Sequence, residues 1–136
     1  MPRYMMFIRH REDYRNYPIP RALNDEMGEF VTANLKSGVL IDTGGFQPAS
    51  RTTTVRLADR KLTVTDGPFT EAKEVIGGYA LVDVPSRVEA IELATRFMDI
   101  HRRNWPEFEG ACEVRPLDGE ESAASASAAA ADRAST

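Results

Sequence analysis

Strand-like and helix-like apolar patterns succeed one another along this chain in a fixed order, and that order leaves few folds open. The first strand, YMMFI at residues 4–8, is apolar on both faces, as is typical of a strand inside a sheet. Further strands are predicted in VLIDTGGF at residues 39–46, GGYALVDV at residues 77–84 and ACEVRPL at residues 111–117. One helix-like segment lies between the strand at residues 4–8 and the strand at residues 39–46. Another lies between the strand at residues 77–84 and the strand at residues 111–117.

The first helix begins at Arg21, directly after Pro20, and Gly38 is suited to its end. One stripe at helical spacing carries its apolar residues, which are Leu23, Met27, Phe30, Val31 and Leu35.

The second helix, PSRVEAIELATRFMDIH at residues 85–101, opens with a capping box formed by Ser86 and Glu89. Two apolar faces follow it, one with Val88, Ile91, Thr95 and Met98 and the other with Ala90, Ala94 and Phe97. The second face makes this helix more buried than a simple surface helix. We expect RRNWPEFEG, which follows at residues 102–110, to be a loop.

A β-hairpin is predicted between the two halves, in TTTVRLADRKLTVT at residues 52–65. Val55 and Leu57 precede a turn at residues 58–60, and Leu62 and Val64 follow it. This clean alternation indicates a hairpin with one face in water. The whole pattern, β-α-β, hairpin, β-α-β, predicts an α+β ferredoxin-like sandwich with an added β-hairpin.

Composition separates the chain into a domain at residues 1–118 and a tail at residues 119–136. The tail is rich in Ala and Ser and contains no aromatic and no β-branched apolar residue. Such a segment buries too little surface to offset its ordering entropy, so we expect it to be disordered.

Charge and cysteine content limit the classes of partner. With 42% apolar and 28% charged residues and a formal net charge of −4, the chain has no basic block for direct nucleic-acid binding. The apolar run near the N-terminus is too short for a signal peptide or a membrane span. A lone cysteine, Cys112, fits a reducing compartment. We therefore expect a soluble cytoplasmic protein that contacts neither nucleic acid nor membrane.

The segment VTDGPFTEAKEVIGGY, residues 64–79, is the strongest candidate for a site. Asp66 ends a strand and Lys73 follows within a few residues, an arrangement that suits a general base or a small polar ligand. The structural alternative is that Asp66 accepts hydrogen bonds from loop amides, since Asp-Gly is a strong turn signal.

Other chemistries have weaker support. The glycine pairs Gly44–Gly45 and Gly77–Gly78 lack phosphate-loop spacing, and bulges or turns explain them better than ligand contact. His10, His101 and Cys112 lack metal-ligand spacing, so we expect neither metal nor cofactor. For His101, at a helix C-terminus, an imidazolium is favourable.

The sequences MFI, GGFQP, VTDGPFTEAKEVIGGYALVDVPS and FEGACEVRPL occur in this order, and with them residues 1–118 resemble the DGPF family of the YCII-related superfamily. This resemblance implies a ferredoxin-like sandwich that pairs as a dimeric α/β barrel with a shared cavity. In the YCII branch a His–Asp pair has been proposed as catalytic. The first helix of this chain contains no histidine, so the resemblance carries over only Asp66.

The expected function is a homodimer that binds a small organic molecule near the DGPF loop, with cofactor-free proton transfer or lyase chemistry if it is an enzyme. Asp66 is then the catalytic base. The predicted ligand-binding residues are Gly45, Gln47, Arg51, Asp66, Phe69 and Lys73. The alternative, from the family's likeness to modules linked to sigma factors, is a non-catalytic regulatory module with a transcription-associated protein partner. A third alternative is that the DGPF loop only forms the dimer.

Overall fold

The protein, described here by a computed structural model for residues 2–11, 18–67 and 75–117, is a mixed α+β fold with antiparallel sheets. Phe69, Lys73 and the tail at residues 119–136 lie outside these ranges. The described elements are β1 Arg3–His10, α1 Arg21–Ser37, β2 Leu40–Gly45, a short 3-10 turn Ala49–Arg51, β3 Thr53–Ala58, β4 Lys61–Asp66, β5 Val75–Asp83, α2 Arg87–Asn104 and β6 Gly110–Pro116.

Four strands form the main sheet in the order β2-β5-β1-β6, and every neighbouring pair is antiparallel. β1 is central, as its two-faced apolar run predicts. Its residue Met5 pairs with Leu81 of β5 on one side and with Arg115 of β6 on the other. The alternate side chains of β1 therefore reach both faces in the interior of the sheet.

One face of the main sheet is covered by both helices. Tyr4 and Val82 are almost completely buried there, and Ala90 of α2 is fully buried in the same cluster. Phe30 and Val31 of α1 pack against this cluster from the side. Burial of apolar surface at about 25 cal/mol per Å² is the main favourable term that holds helices on a sheet.

The opposite face of the main sheet carries the alternate side chains of the same strands. Met5 and Phe7 of β1 and Leu81 of β5 are only partly buried on it, and Ile41 of β2 is 45% exposed. We call this surface, defined by these four residues, the open face. Both helices lie on the other side, so neither covers it.

β3 and β4 form a separate two-stranded sheet, the predicted hairpin. Its turn is two residues long, with Asp59 at φ 50° and Arg60 at φ 64°, the backbone of a type I′ turn. Cross-strand pairing joins Val55 to Val64 and Leu57 to Leu62. These four apolar side chains, which we call the hairpin face, are 64–72% exposed. In a single chain, water therefore reaches the apolar side of the hairpin as well as the polar one.

The capping box at α2 is observed in part, because the Oγ of Ser86 accepts a hydrogen bond from the backbone N–H of Glu89 at 3.3 Å. The helix continues to Asn104, one turn beyond the predicted end, so RRN is helical rather than loop. Val88 and Ile91, placed on an apolar side by the pattern, are 63% and 49% exposed. The buried side is the other one, with Ala90, Leu93, Ala94, Ile100 and His101. Neither described helix is long and apolar enough to cross a membrane.

Two glycines, one inside α1 and one directly after it, test the helical backbone and its end. Gly28 lies inside the helix with open space where a Cβ would be, whereas Gly38 ends it at φ +83°. We expect Gly28→Ala to stabilise the protein by about 1 kcal/mol through helix propensity. Gly38→Ala should destabilise it by about 1 kcal/mol, since an L-residue is strained there. Urea unfolding measures both, and equal shifts for the two variants would contradict this assignment.

Candidate functional site

A cavity of about 570 Å³ lies between the main sheet and the two helices. β1 and β5 supply its floor through Met6, Ile8 and Ala80, and the helices supply its walls through residues such as Met27 and Phe97. The volume is within the usual range for small-molecule sites. Among the described residues that line the cavity there is no Asp, Glu, Lys or Arg. We call it the helix–sheet cavity.

The two glycine pairs lie together at one end of the helix–sheet cavity. The pairing of β1 with β5 shifts between Ile8 and Arg9, so that Gly77 is an extra residue, a β-bulge. A Cβ on Gly77 would collide with the imidazole of His10, and one on Gly78 would come within 2.9 Å of the carbonyl oxygen of Gly44. The bulge interpretation is therefore correct for Gly77. The glycines also create the space that the His10 ring occupies.

His101 of α2 lines the helix–sheet cavity and is only 8% exposed. Its Nδ1 lies 3.0 Å from the carbonyl oxygen of Phe97. Because a carbonyl only accepts, Nδ1 carries the proton and donates it. Burial lowers the pKa of His101, although the hydrogen bond to Phe97 opposes this shift. The imidazole is therefore neutral at pH 7 with its lone pair on Nε2, and the expectation of a favourable imidazolium is wrong.

Two aromatic rings hold the His101 side chain in place. The ring centroid of Phe97 is 4.7 Å from that of His101, and the centroid of Phe108 is 4.8 Å from it. Phe108 also packs on Trp105, whose ring is buried. The orientation of the imidazole is thus fixed by packing as well as by its hydrogen bond, which is what a preorganised site requires.

His10 approaches the same cavity from β1. Its Nδ1 lies 2.7 Å from the carbonyl oxygen of Arg11, so Nδ1 is the donor here too. Both histidines of the chain consequently line one cavity, although they stand far apart in sequence.

Cys112 of β6 also lines the helix–sheet cavity. Burial raises the pKa of its thiol to about 11. Since the thiolate is the nucleophile, this cysteine is a protonated, weakly reactive group at neutral pH.

At the rim near Gly44, the hydroxyl of Tyr79 donates a 2.9 Å hydrogen bond to Oδ2 of Asp42. This bond is the main cause of the raised pKa of Tyr79. The ring of Phe46 packs 5.7 Å from that of Tyr79. These contacts stabilise the edge of β2 beside the cavity, and Asp42 itself does not line it.

Of the residues predicted from sequence, Gly45 lines the helix–sheet cavity, whereas Gln47, Arg51 and Asp66 do not. Asp66 is exposed at the end of β4, and its Oδ1 accepts a hydrogen bond from the Thr53 hydroxyl at 3.3 Å. The carboxylate of Asp66 therefore contacts the neighbouring strand of the hairpin and not the helix–sheet cavity. His101 is the main residue that the sequence interpretation missed, and its position on the Ala90–Ala94–Phe97 face of α2 was the available signal.

The lowered pKa of His101 predicts a pH dependence of stability. In the unfolded chain an imidazole takes up a proton as pH falls through about 6.5, whereas the buried ring resists protonation. Wild type should therefore lose stability as pH falls below that value, and His101→Phe should lose less over the same interval. Urea unfolding at pH 7.5, 6.5 and 5.5 measures the difference. Parallel curves for the two proteins would disprove it.

The thiol of Cys112 makes a second prediction. With a pKa of about 11, its thiolate fraction at pH 8 is roughly one in a thousand, against about a quarter for an ordinary cysteine. Alkylation by iodoacetamide, followed by mass spectrometry, should be roughly 100-fold slower in the native protein than in urea. Equal rates under the two conditions would contradict the burial of this thiol.

Comparison with known proteins identifies the family of this chain. The family model of the YCII-related domain matches residues 2–98. A protein of Rhizobium meliloti (strain 1021), described as "Uncharacterized protein R00369", is 34% identical over 112 residues, which cover 76% of this chain and 86% of that protein. The predicted resemblance is thereby confirmed, and the chain belongs to the YCII-related family.

Proposed function

We propose that this protein is a homodimer that binds a small organic molecule in the helix–sheet cavity of each protomer. The observation that carries the proposal is the cavity itself, with its volume of about 570 Å³, apolar walls and a few polar groups. Concave, largely apolar sites of this size are where proteins bind small ligands. The glycines beside His10 support the same conclusion, because they leave room for its imidazole at one end of the cavity.

The chemistry that best suits this cavity is cofactor-free proton transfer. General acid–base catalysis needs a group that exchanges a proton near neutral pH, and an imidazole is the usual one. His10 and His101 line the cavity, whereas Asp66 hydrogen-bonds to the hairpin. A catalytic role for Asp66 accordingly has less support than one for an imidazole, and Asp66→Asn should leave ligand binding unchanged.

The proposed dimer is a pair of ferredoxin-like sandwiches of the α/β barrel type. The strand order β2-β5-β1-β6, with helices after β1 and β5 and the hairpin inserted between β2 and β5, supports this topology. The open face supports the pairing, because Met5, Phe7 and Leu81 are apolar and a second sheet would cover them. The single reduced cysteine supports a cytoplasmic location.

One observation favours a second candidate function, a regulatory module with a protein partner linked to transcription. The hairpin face leaves Val55, Leu57, Leu62 and Val64 at 64–72% exposure, and exposed apolar patches commonly mark protein interaction sites. In that case the hairpin face rather than the cavity carries the function.

The ligand proposal is tested with N-phenyl-1-naphthylamine, an uncharged dye that fluoresces when it enters an apolar site. Wild type should enhance its fluorescence saturably, and Ala80→Leu should weaken the binding at least tenfold because the added atoms fill the cavity floor. Ala111→Leu is the matched control, since Ala111 is exposed on β6 and does not line the cavity. Equal loss in both variants, or no binding by wild type, would refute the proposal.

The dimer is tested by placing a charge on the open face. Phe7→Lys should convert a dimer into a folded monomer, because a buried, unpaired ammonium opposes association. Leu35→Lys is the control, since Leu35 is 47% exposed on α1. Light scattering after gel filtration gives the mass of each species. A monomeric wild type, or a dimer that tolerates Phe7→Lys, would rule out this interface. Met6 and Leu40 are unsuitable sites for this test, because both lie in the core of the protomer.

A further inference from the structure

On the basis of the proposed function, we propose that the ligand of the helix–sheet cavity is an uncharged aromatic molecule with a hydroxyl group. In this arrangement the hydroxyl donates a hydrogen bond to Nε2 of His101. Three features of the cavity support this assignment: its lack of charge, its aromatic walls and the free edge of the His101 ring.

The lack of charge excludes carboxylates, phosphates and ammonium groups as the buried part of the ligand. No Asp, Glu, Lys or Arg is among the described residues that line the cavity. Burying a charged group without an opposite charge or several hydrogen bonds costs many kcal/mol. Arg51, one of the residues predicted from sequence to bind the ligand, does not line the cavity.

The aromatic walls favour a flat ring system. Phe30, Phe97, Trp105 and Phe108 all line the cavity. The rings of Phe30 and Phe97 lie 6.3 Å apart at an interplanar angle of 52°, and those of Trp105 and Phe108 lie 5.4 Å apart at 33°. Such walls contact an aromatic ligand through offset and tilted faces, which are the preferred geometries.

The polar groups of the cavity determine what the ligand must offer. The amide nitrogen of Asn34 donates to the backbone carbonyl oxygen of Phe30 at 2.8 Å. The hydroxyl of Thr43 donates to the backbone carbonyl oxygen of Tyr79 at 2.9 Å. One amide hydrogen of Asn34 and the hydroxyl hydrogen of Thr43 are thus already engaged within the protein. The thiol of Cys112 is a weak partner for any ligand.

His101 offers the ligand an acceptor nitrogen on a ring that packing holds in place. Nδ1–H is engaged with Phe97, and the rings of Phe97 and Phe108 pack beside the imidazole. Nε2 makes no hydrogen bond within the described part of the chain, and it is not sealed from solvent. A ligand that meets this atom must donate, and a hydroxyl on an aromatic ring is such a donor.

A second hollow, of about 890 Å³, lies between α2 and β6 and also touches His101. Its lining includes Arg96, Asp99, Arg102 and Glu109, so charged groups surround it. An uncharged aromatic molecule is better matched to the helix–sheet cavity than to this second hollow. The Ala80→Leu variant distinguishes binding in the two.

The test is displacement of N-phenyl-1-naphthylamine from the full-length chain by 1-naphthol, 1-methoxynaphthalene and 1-naphthoate. With wild type, 1-naphthol should bind roughly 3- to 10-fold tighter than 1-methoxynaphthalene, the expected advantage of one neutral hydrogen bond. 1-Naphthoate should bind at least tenfold more weakly than 1-naphthol. His101→Phe keeps an aromatic ring in place but removes the acceptor, so the preference for 1-naphthol should disappear.

The ligand comparison on wild type needs no variant, so the inference stays testable even if His101→Phe fails to fold. Equal binding of 1-naphthol and 1-methoxynaphthalene would overturn the inference, and so would tight binding of 1-naphthoate. Undiminished 1-naphthol binding by Ala80→Leu would overturn it too, because the ligand would then lie in the second hollow. In the first two cases the dye still binds and the proposed function stands; failure of the dye to bind wild type would refute the proposed function itself.

Discussion

The close contact between α2 and the main sheet is the interaction on which the rest of the structure depends. Ala90 and Ala94 bring that helix close to the sheet, where Tyr4 and Val82 are almost completely buried. Five residues of α2 are buried, whereas Leu23 alone is buried in α1. The two helices therefore play unequal roles, and the space that α1 leaves over the sheet is the helix–sheet cavity.

Polar contacts also join the first half of α1 to the C-terminal end of α2. Glu26 accepts hydrogen bonds from Arg103 and Asn104, and Asp99 accepts from Arg103 as well. The bond from Arg103 is the largest cause of the lowered pKa of each of these two carboxyls. Exposed pairs of this kind contribute little to stability. Below them, Leu23, Ile100 and Trp105 form a small second core that closes one end of the cavity.

Much of the fold could be predicted because the signals are local. The stop at Gly38, the cap at Ser86 and the turn at residues 58–60 each depend on a few neighbouring residues. The buried side of α2 could not be chosen in this way, because Val88 and Ala90 are both apolar and only the position of the sheet decides between them. The residues of the cavity could not be predicted for the same reason, because tertiary packing brings them together. His10 and His101 lie on different elements, and their spacing in the sequence does not indicate that they line one cavity. Asp66 was predicted as a site residue because it belongs to an Asp-Gly turn motif. Such a motif indicates the backbone conformation and not a chemical role.

The hairpin has a consequence for the dynamics of the chain. A two-stranded sheet alone in water is marginally stable, and this one also has a turn with two non-glycine residues at positive φ. Its backbone hydrogen bonds should open without disturbing β1 or α2, because the hairpin does not share their sheet. Amide protons of β3 and β4 should thus exchange with solvent long before those of the core. If a second copy of the chain or another protein covers the hairpin face, the first effect should be slower exchange of the amide protons in β3 and β4.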